Sequence, residues 1–492
     1  MIVDADQRGE AAFRDRVFDV CIAGTGPAGI TLARRLAAKR ISVALLEGGD
    51  LDLDARSQEL YEGTIVGRDY FPLDVTRLRY CGGSSNHWGG WSRPLDAHDF
   101  EPNPYNPLSG WPIARTDLDP YADETATILD LNQPPDRALD FFGGDTGGFV
   151  PIFFRFSPPT RFGEKYKDEI AASERISLCL NANLVDLVLD DSRGAIGEAK
   201  VQSYGSTNPF GVRARYFVVA LGGIENPRFL LNANRQRPAG LGNEHDLVGR
   251  YFLEHLHVAV GPMVLRRAQP NMLIYTPSPQ MMADEGLLNF GFRLTPVFPP
   301  PPGSDAEKAL DPARASPLTD LVAAQLAGTP INCPGRTGEA LLVGEQALNP
   351  ESRVMLGEER DAFGLRRAAL KWTLSDVDFH TLRTATVRLA SLMAYRDVGR
   401  VKVKDWLLSD DPNPDLSFDD LQGGNHHMGT TRMSDDPKTG VVDRNCRVHS
   451  VENLYMGGSS VFATAGHANP TYNIVQLALR LGDHIAGLLG KA

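Results

Sequence analysis

Two groups of residues in this chain have the types and spacing to act on a bound organic molecule: a glycine cluster near the start and a set of imidazoles and amides near the end. Gly24, Gly26 and Gly29 follow the apolar run Phe18 to Ala23 in G-x-G-x-x-G spacing. The first glycine permits a tight turn, the second lets backbone approach a pyrophosphate, and the third lets a helix pack closely on a strand. A helix opening at Pro27 and Ala28 presents its N–H groups to the phosphates. Ala28, Leu32 and Leu36 recur every four residues, as an amphipathic helix requires. The second apolar run, Ile41 to Leu46, ends at Glu47, 23 residues after Gly24, where a carboxylate can accept hydrogen bonds from a ribose. That acid disfavours a 2′-phosphate. The pattern binds a dinucleotide and does not separate NAD from FAD. Near the other end, His426 and His427 are candidates for proton transfer, because neutral imidazole is a suitable base near pH 7. In an extended stretch the two rings point to opposite sides. Asn469 before Pro470 predicts an N-cap with proline at the first helical position. Ile474, Leu477, Leu481, Ile485 and Leu488 continue that helix at three- and four-residue steps.

Further segments carry a family resemblance. Cys81-Gly82-Gly83-Ser84-Ser85-Asn86-His87-Trp88-Gly89-Gly90 resembles the flavin-contacting loop of the glucose–methanol–choline (GMC) oxidoreductases, and Val218 to Pro227 resembles a second signature of that family. His426 to Met433, Asn453-Leu454-Tyr455 and Gly466-His467-Ala468-Asn469-Pro470-Thr471 are similar to its C-terminal part. The similarity runs from residue 18 to the C-terminus and is weakest over 256–340. Within the family the chain looks most like pyranose 2-oxidases and bacterial glycoside 3-oxidases. One departure is Gly457-Gly458-Ser459-Ser460, where many members carry Asp-Ala-Ser.

The resemblance implies an α/β fold: a discontinuous Rossmann-like FAD domain and a substrate domain on a largely antiparallel sheet. The expected divisions are 14–105, 165–255 and 425–492 for FAD, 106–164 as a connection, and 256–424 for substrate. It implies FAD contacts from Gly24, Gly26, Pro27, Ala28, Gly29, Glu47, Gly82, Gly83, Ser84, Asn86, His87, Trp88, Gly89, Val185, Ala220, Gly458, Asn469, Pro470 and Thr471. Noncovalent FAD is the default, with a covalent link at His87 as the alternative. His426 is implied as the base and Asn469 as the partner that binds the alcohol oxygen. His467, His427, Gln346 and Arg353 are weaker substrate candidates. The implied activity is oxidation of a secondary ring alcohol of a sugar or glycoside at C3 or C2 to a ketone, with oxygen or a quinone-like carrier as acceptor. The alternative within the family is a polyol, aminoglycoside or aliphatic alcohol. Two other classes are a flavoprotein that only transfers electrons and an NAD-dependent dehydrogenase. With His426 as base, kcat/KM is expected to rise with pH as that ring loses its proton.

Composition bounds these readings. The 492 residues are 42% hydrophobic and 23% charged, which suits a globular protein of two or more domains. The net charge of −12 argues against nucleic acid and anionic lipid as partners. No apolar run is long enough to span a membrane, and the acidic start, with Asp4, Asp6 and Glu10, is not a signal-peptide pattern. Cys21, Cys81, Cys179, Cys333 and Cys446 form no CxxC pair, so neither a metal site nor a disulfide framework is expected, and a reduced, cytoplasmic enzyme is the reading. Residues 1–17 read as a polar arm. The proline run 299–302 reads as a loop over the pocket or a linker.

Overall fold

A computed structural model describes residues 1–492 apart from 8–9, 132–140, 191–193, 268, 270, 297–321, 324–334, 413 and 491–492. The proline run lies outside the described residues.

The glycine turn sits where the expected elements meet. Strand Val17–Ala23 leads through it into helix Pro27–Ala38, and strand Val43–Leu46 follows. Gly24 has φ +104°, and a Cβ there would stand 2.3 Å from the carbonyl oxygen of Ala220, so only glycine fits. A Cβ at Gly29 would lie 1.9 Å from the oxygen of Gly24; its absence lets the helix close on the strand. Val17–Ala23 is central in an eight-stranded sheet. One neighbour is Val43–Leu46, followed by Ile176–Leu180 and Ile2–Asp4; the other is Phe210–Val219, which also pairs with Leu454–Met456. These pairs are all parallel, and an antiparallel ribbon, Asn183–Asp190 with Ala195–Gln202, extends the sheet. Such a sheet is covered on both faces, here partly by Pro27–Ala38 and the last helix, Thr471–Leu488, which pack on each other.

One local expectation changes. Residues 1–17 are not simply an arm, because Ile2–Asp4 forms an edge strand on Ile176–Leu180. The chain then breaks at Asn181, whose φ is +52°, before strand Asn183–Asp190.

The second sheet has seven strands and is antiparallel throughout. Its centre is His255–Leu265, Thr337–Glu345 and Phe290–Pro296. Leu256, Val258, Phe290, Phe292 and Leu294 enter a buried cluster with Leu382, Ala385, Leu389 and Met393 of helix Asp376–Tyr395. Strand alternation then turns His255, His257, Gly291 and Arg293 to the opposite face. Strand pairing crosses the expected divisions. Gly63–Gly67 pairs with Arg366–Trp372, and Phe149–Pro151 is an edge of the seven-stranded sheet. The fold is α/β, an eight-stranded sheet with a parallel core beside an antiparallel seven-stranded one. No helix among the described residues is long and apolar enough to cross a membrane.

Candidate active site

A continuous cavity of about 500 Å³ runs from the glycine turn to the face carrying the histidines. At one end it is lined by Gly24, Gly26, Pro27, Ala28 and Glu47, then by Gly83, Ser84, His87, Trp88 and Gly89. At the other end stand His257, Arg293, His426 and Asn469. Ala220, Gly458, Pro470 and Thr471 also line it.

The residues fit a flavin dinucleotide. A Cβ at Gly26 would meet nothing within 4 Å, so the second glycine opens onto space beside the start of helix Pro27–Ala38, where a pyrophosphate would approach backbone. Glu47 is buried and accepts hydrogen bonds from the amides of Thr25 (3.3 Å) and Gly49 (2.9 Å) and from the Thr25 hydroxyl. Its carboxylate is thus oriented toward the cavity rim before any ribose arrives.

Several expected FAD contacts act one step removed. Gly29 packs helix on strand. Gly82, at φ +97°, and Asn86, whose amide donates to the Cys81 carbonyl at 2.9 Å, shape the loop and do not line the cavity. Leu184 lines it and Val185 does not, a one-residue slip that strand alternation converts into the wrong face. Arg79 was missed. Its guanidinium lies in the cavity wall, held by Asn183 (2.8 Å), Ser57 (3.0 Å) and Tyr204 (3.1 Å).

The chemistry end is a one-way chain of hydrogen bonds. His255 Nε2 lies 3.3 Å from the carbonyl oxygen of Ala465, which only accepts, so that nitrogen carries the proton. His255 Nδ1 is then an acceptor, and His426 Nδ1–H donates to it at 2.8 Å. His426 Nε2 is left with its lone pair, 3.0 Å from Asn469 Nδ2. Asn469 Oδ1 accepts a long bond, 3.5 Å, from Arg293. Burial holds both rings neutral: the His255 pKa is pushed down to about 3, and that of His426 well below the usual histidine range, with His255, His257 and Arg293 adding to the effect. The expected rise of kcat/KM through a His426 ionisation therefore moves to acid pH.

Asn469 is not the N-cap that its sequence predicts. Helix Thr471–Leu488 starts after Pro470, whose carbonyl accepts from the amide of Ile474 at 2.9 Å, and the Asn469 amide is turned to His426 instead. His427 also lines the cavity, but its Nε2 is turned to the Tyr70 hydroxyl at 3.0 Å. His467 is buried, with Nε2 3.4 Å from Asp96 Oδ2, and does not line the cavity. Gln346 lies behind the site, accepting from the Glu254 amide (3.1 Å) and Trp372 Nε1 (3.0 Å). Arg353 pairs with Asp246 at 3.1 Å, outside the cavity. Their sequence context was familial, but their side chains serve the frame.

Glu254 was also missed. It is buried, accepts from the amides of His426 (2.7 Å) and His255 (2.8 Å) and from the Tyr70 hydroxyl, and burial raises its pKa to about 7. The signal for the missed histidines was present: Glu254-His255-Leu256-His257 places both imidazoles on one strand face.

Comparison with known proteins agrees with this architecture. A family model described as GMC oxidoreductase matches residues 349–478. The chain is 26% identical to a paromamine 6′-oxidase of Streptomyces fradiae over 96% of this chain and 92% of that protein. It is 28% identical to a C-glycoside 3-oxidase of Microbacterium trichothecenolyticum over 56% of this chain and 47% of the other. A formate oxidase structure from Aspergillus oryzae superposes with TM-score 0.60 at 16% identity, covering 96% of this chain and 99% of that one. The dinucleotide cradle, the paired sheets and these similarities together support the GMC oxidoreductase family, with oxidation of an alcohol group and FAD as cofactor.

Proposed function

We propose that this enzyme oxidises a secondary ring alcohol of a sugar or glycoside, at C3 or C2, to a ketone. The observation that carries this reading is the lone pair of His426 Nε2 in the cavity wall, beside the amide N–H of Asn469 at 3.0 Å. FAD, when bound, supplies the acceptor for the hydride. A substrate hydroxyl entering between the two side chains donates its proton to His426 Nε2 and accepts from Asn469. The C–H bond then breaks with its electron pair, the C=O bond forms, and the O–H proton stays on His426. His255 keeps the base in the correct tautomer, because its only free ring position accepts from His426 Nδ1–H. Similarity to a C-glycoside 3-oxidase supports a ring position. Similarity to a paromamine 6′-oxidase over nearly the whole chain supports the second reading, an exocyclic hydroxyl of an aminoglycoside.

Anaerobic mixing with neutral, acidic and amino sugars, followed by flavin bleaching, tests the reading, and NMR of the product ketone assigns the position. If no sugar or glycoside bleaches the flavin while a simple aliphatic alcohol does, the proposal fails. Electrons leave to oxygen or a quinone-like carrier, which peroxide formation in air distinguishes. FAD is held noncovalently, so acid denaturation is expected to leave the polypeptide colourless; colour retained with the chain would assign the link to His87.

Glu254 sets the pH dependence. Above about pH 7 its carboxylate is ionised, and a negative charge hydrogen-bonded to the His426 amide favours the imidazolium formed during turnover. We expect kcat/KM to rise with pH near 7. Glu254→Gln should flatten that limb and leave the flavin content unchanged. A limb that persists in this variant assigns it elsewhere.

A further inference from the structure

We propose that Arg293 recognises a carboxylate on the substrate, so that the preferred substrate is an acidic sugar or glycoside of the uronate type. This deepens the sugar-oxidation reading and rests on it.

Among the described lining residues, Arg293 is the cation that reaches Asn469, and the lining carboxylates, Glu47 and Glu225, make no ion pair with it. Arg293 extends from the face of strand Phe290–Pro296 opposite its apolar residues. Its guanidinium lies over the ring of Trp91, with 4.1 Å to the centroid, and 5.7 Å from that of Phe154. Its hydrogen bond among the described residues is the long one to Asn469 Oδ1, 3.5 Å. No described carboxylate lies within ion-pair distance of it, whereas the other guanidinium groups of the cavity wall, Arg77 and Arg79, are tied to Glu225 and to Asn183, Ser57 and Tyr204. A guanidinium has five N–H donors, and among the described residues only Asn469 is seen to take one of them. Burial lowers its pKa only to about 10, so it stays charged at neutral pH.

A second group converges on the same space. The residue His257 lines the cavity with Gly424 and His426, and its Nε2 is buried on the Gly424 side without a hydrogen-bond partner among the described residues. An unpartnered buried polar atom of this kind is costly unless a ligand or water meets it. Its ring is also held neutral, with burial moving its pKa down to about 4 and Arg293 contributing. Arg293 and His257 share one sheet face, with His257 opposite Val343 and Arg293 opposite Leu341, two residues along the same central strand. A planar carboxylate suits the guanidinium fork, and a ring hydroxyl suits the imidazole. The stacked Trp91 fixes the fork in place, which limits the ordering cost of binding. The same charge opposes a protonated aminosugar: the Glu47 and Glu225 carboxylates of the wall are engaged with Thr25 and Gly49, and with Arg77 and Arg228.

Binding, read separately from turnover, tests this. In the FAD-loaded His426→Asn variant, changes in the flavin spectrum on adding methyl glucuronide, its methyl ester, methyl glucoside or glucosamine report affinity without oxidation. Methyl glucuronide is expected to bind about 10- to 100-fold more tightly than the ester or the glucoside, the range for one charge-assisted hydrogen-bonded pair. Adding Arg293→Gln should abolish that preference, and Arg293→Lys should restore part of it. Equal affinity for acid and ester, tighter glucosamine binding, or a preference that survives Arg293→Gln each overturns the proposal. Tight glucuronide binding with no turnover by the wild-type enzyme would instead count against the oxidation reading and leave the carboxylate site standing.

Discussion

His426→Ala is expected to lower kcat/KM by about 10²- to 10⁴-fold, the range for loss of a positioned general base. The argument is geometric. Among the described residues at the chemistry end, His426 Nε2 combines an acceptor lone pair with a place in the wall beside the Asn469 amide, a donor that an entering alcohol oxygen can take over. His255 cannot substitute, since its Nε2 proton goes to Ala465 and its Nδ1 faces His426. His257 has an unpartnered nitrogen, but the Asn469 amide is bonded to His426. Flavin content should stay at the wild-type level, which separates lost chemistry from lost folding. Anaerobic stopped-flow bleaching measures the reductive half-reaction directly. A variant that bleaches within about threefold of wild type, well under that range, would remove His426 from the mechanism.

The second large effect separates the glycines by role. Gly26→Val is expected to lower bound flavin at least about tenfold, because a side chain there fills the space where backbone must meet the pyrophosphate. The fold should tolerate it: Gly26 has φ −68° and ψ −176°, ordinary for valine, and its Cβ meets no atom within 4 Å. Gly29→Val should instead yield little folded protein, since its Cβ overlaps the Gly24 carbonyl. Flavin absorbance per chain and far-ultraviolet circular dichroism distinguish the outcomes. Stoichiometric flavin in Gly26→Val would move the pyrophosphate away from this turn.

The two ends of the site were legible to different degrees. At the cradle, meaning lies in local geometry. A glycine at positive φ and a helix start are properties of a few consecutive residues, so Gly24, Gly26, Gly29 and Glu47 could be read in order. At the chemistry end, neighbours come from distant segments. Asn469 illustrates the difference: its local context predicts a cap, and the bond to His426, 43 residues away, overrides it. Gln346 and Arg353 show the reverse case, in which a familial stretch supplies side chains that hold strands together.

Sequence alone determined the strand–turn–helix cradle, because glycine spacing, helix period and the following acid all lie along one segment; the choice of His426 over His427 came from the family resemblance and not from spacing. Tertiary structure decided the tautomer of His426, through His255 and Ala465, the near-neutral carboxylate of Glu254, and the isolated charge of Arg293. These depend on burial and on partners up to 210 residues apart. A buried group's charge and proton are set by what surrounds it in space, which no single segment contains.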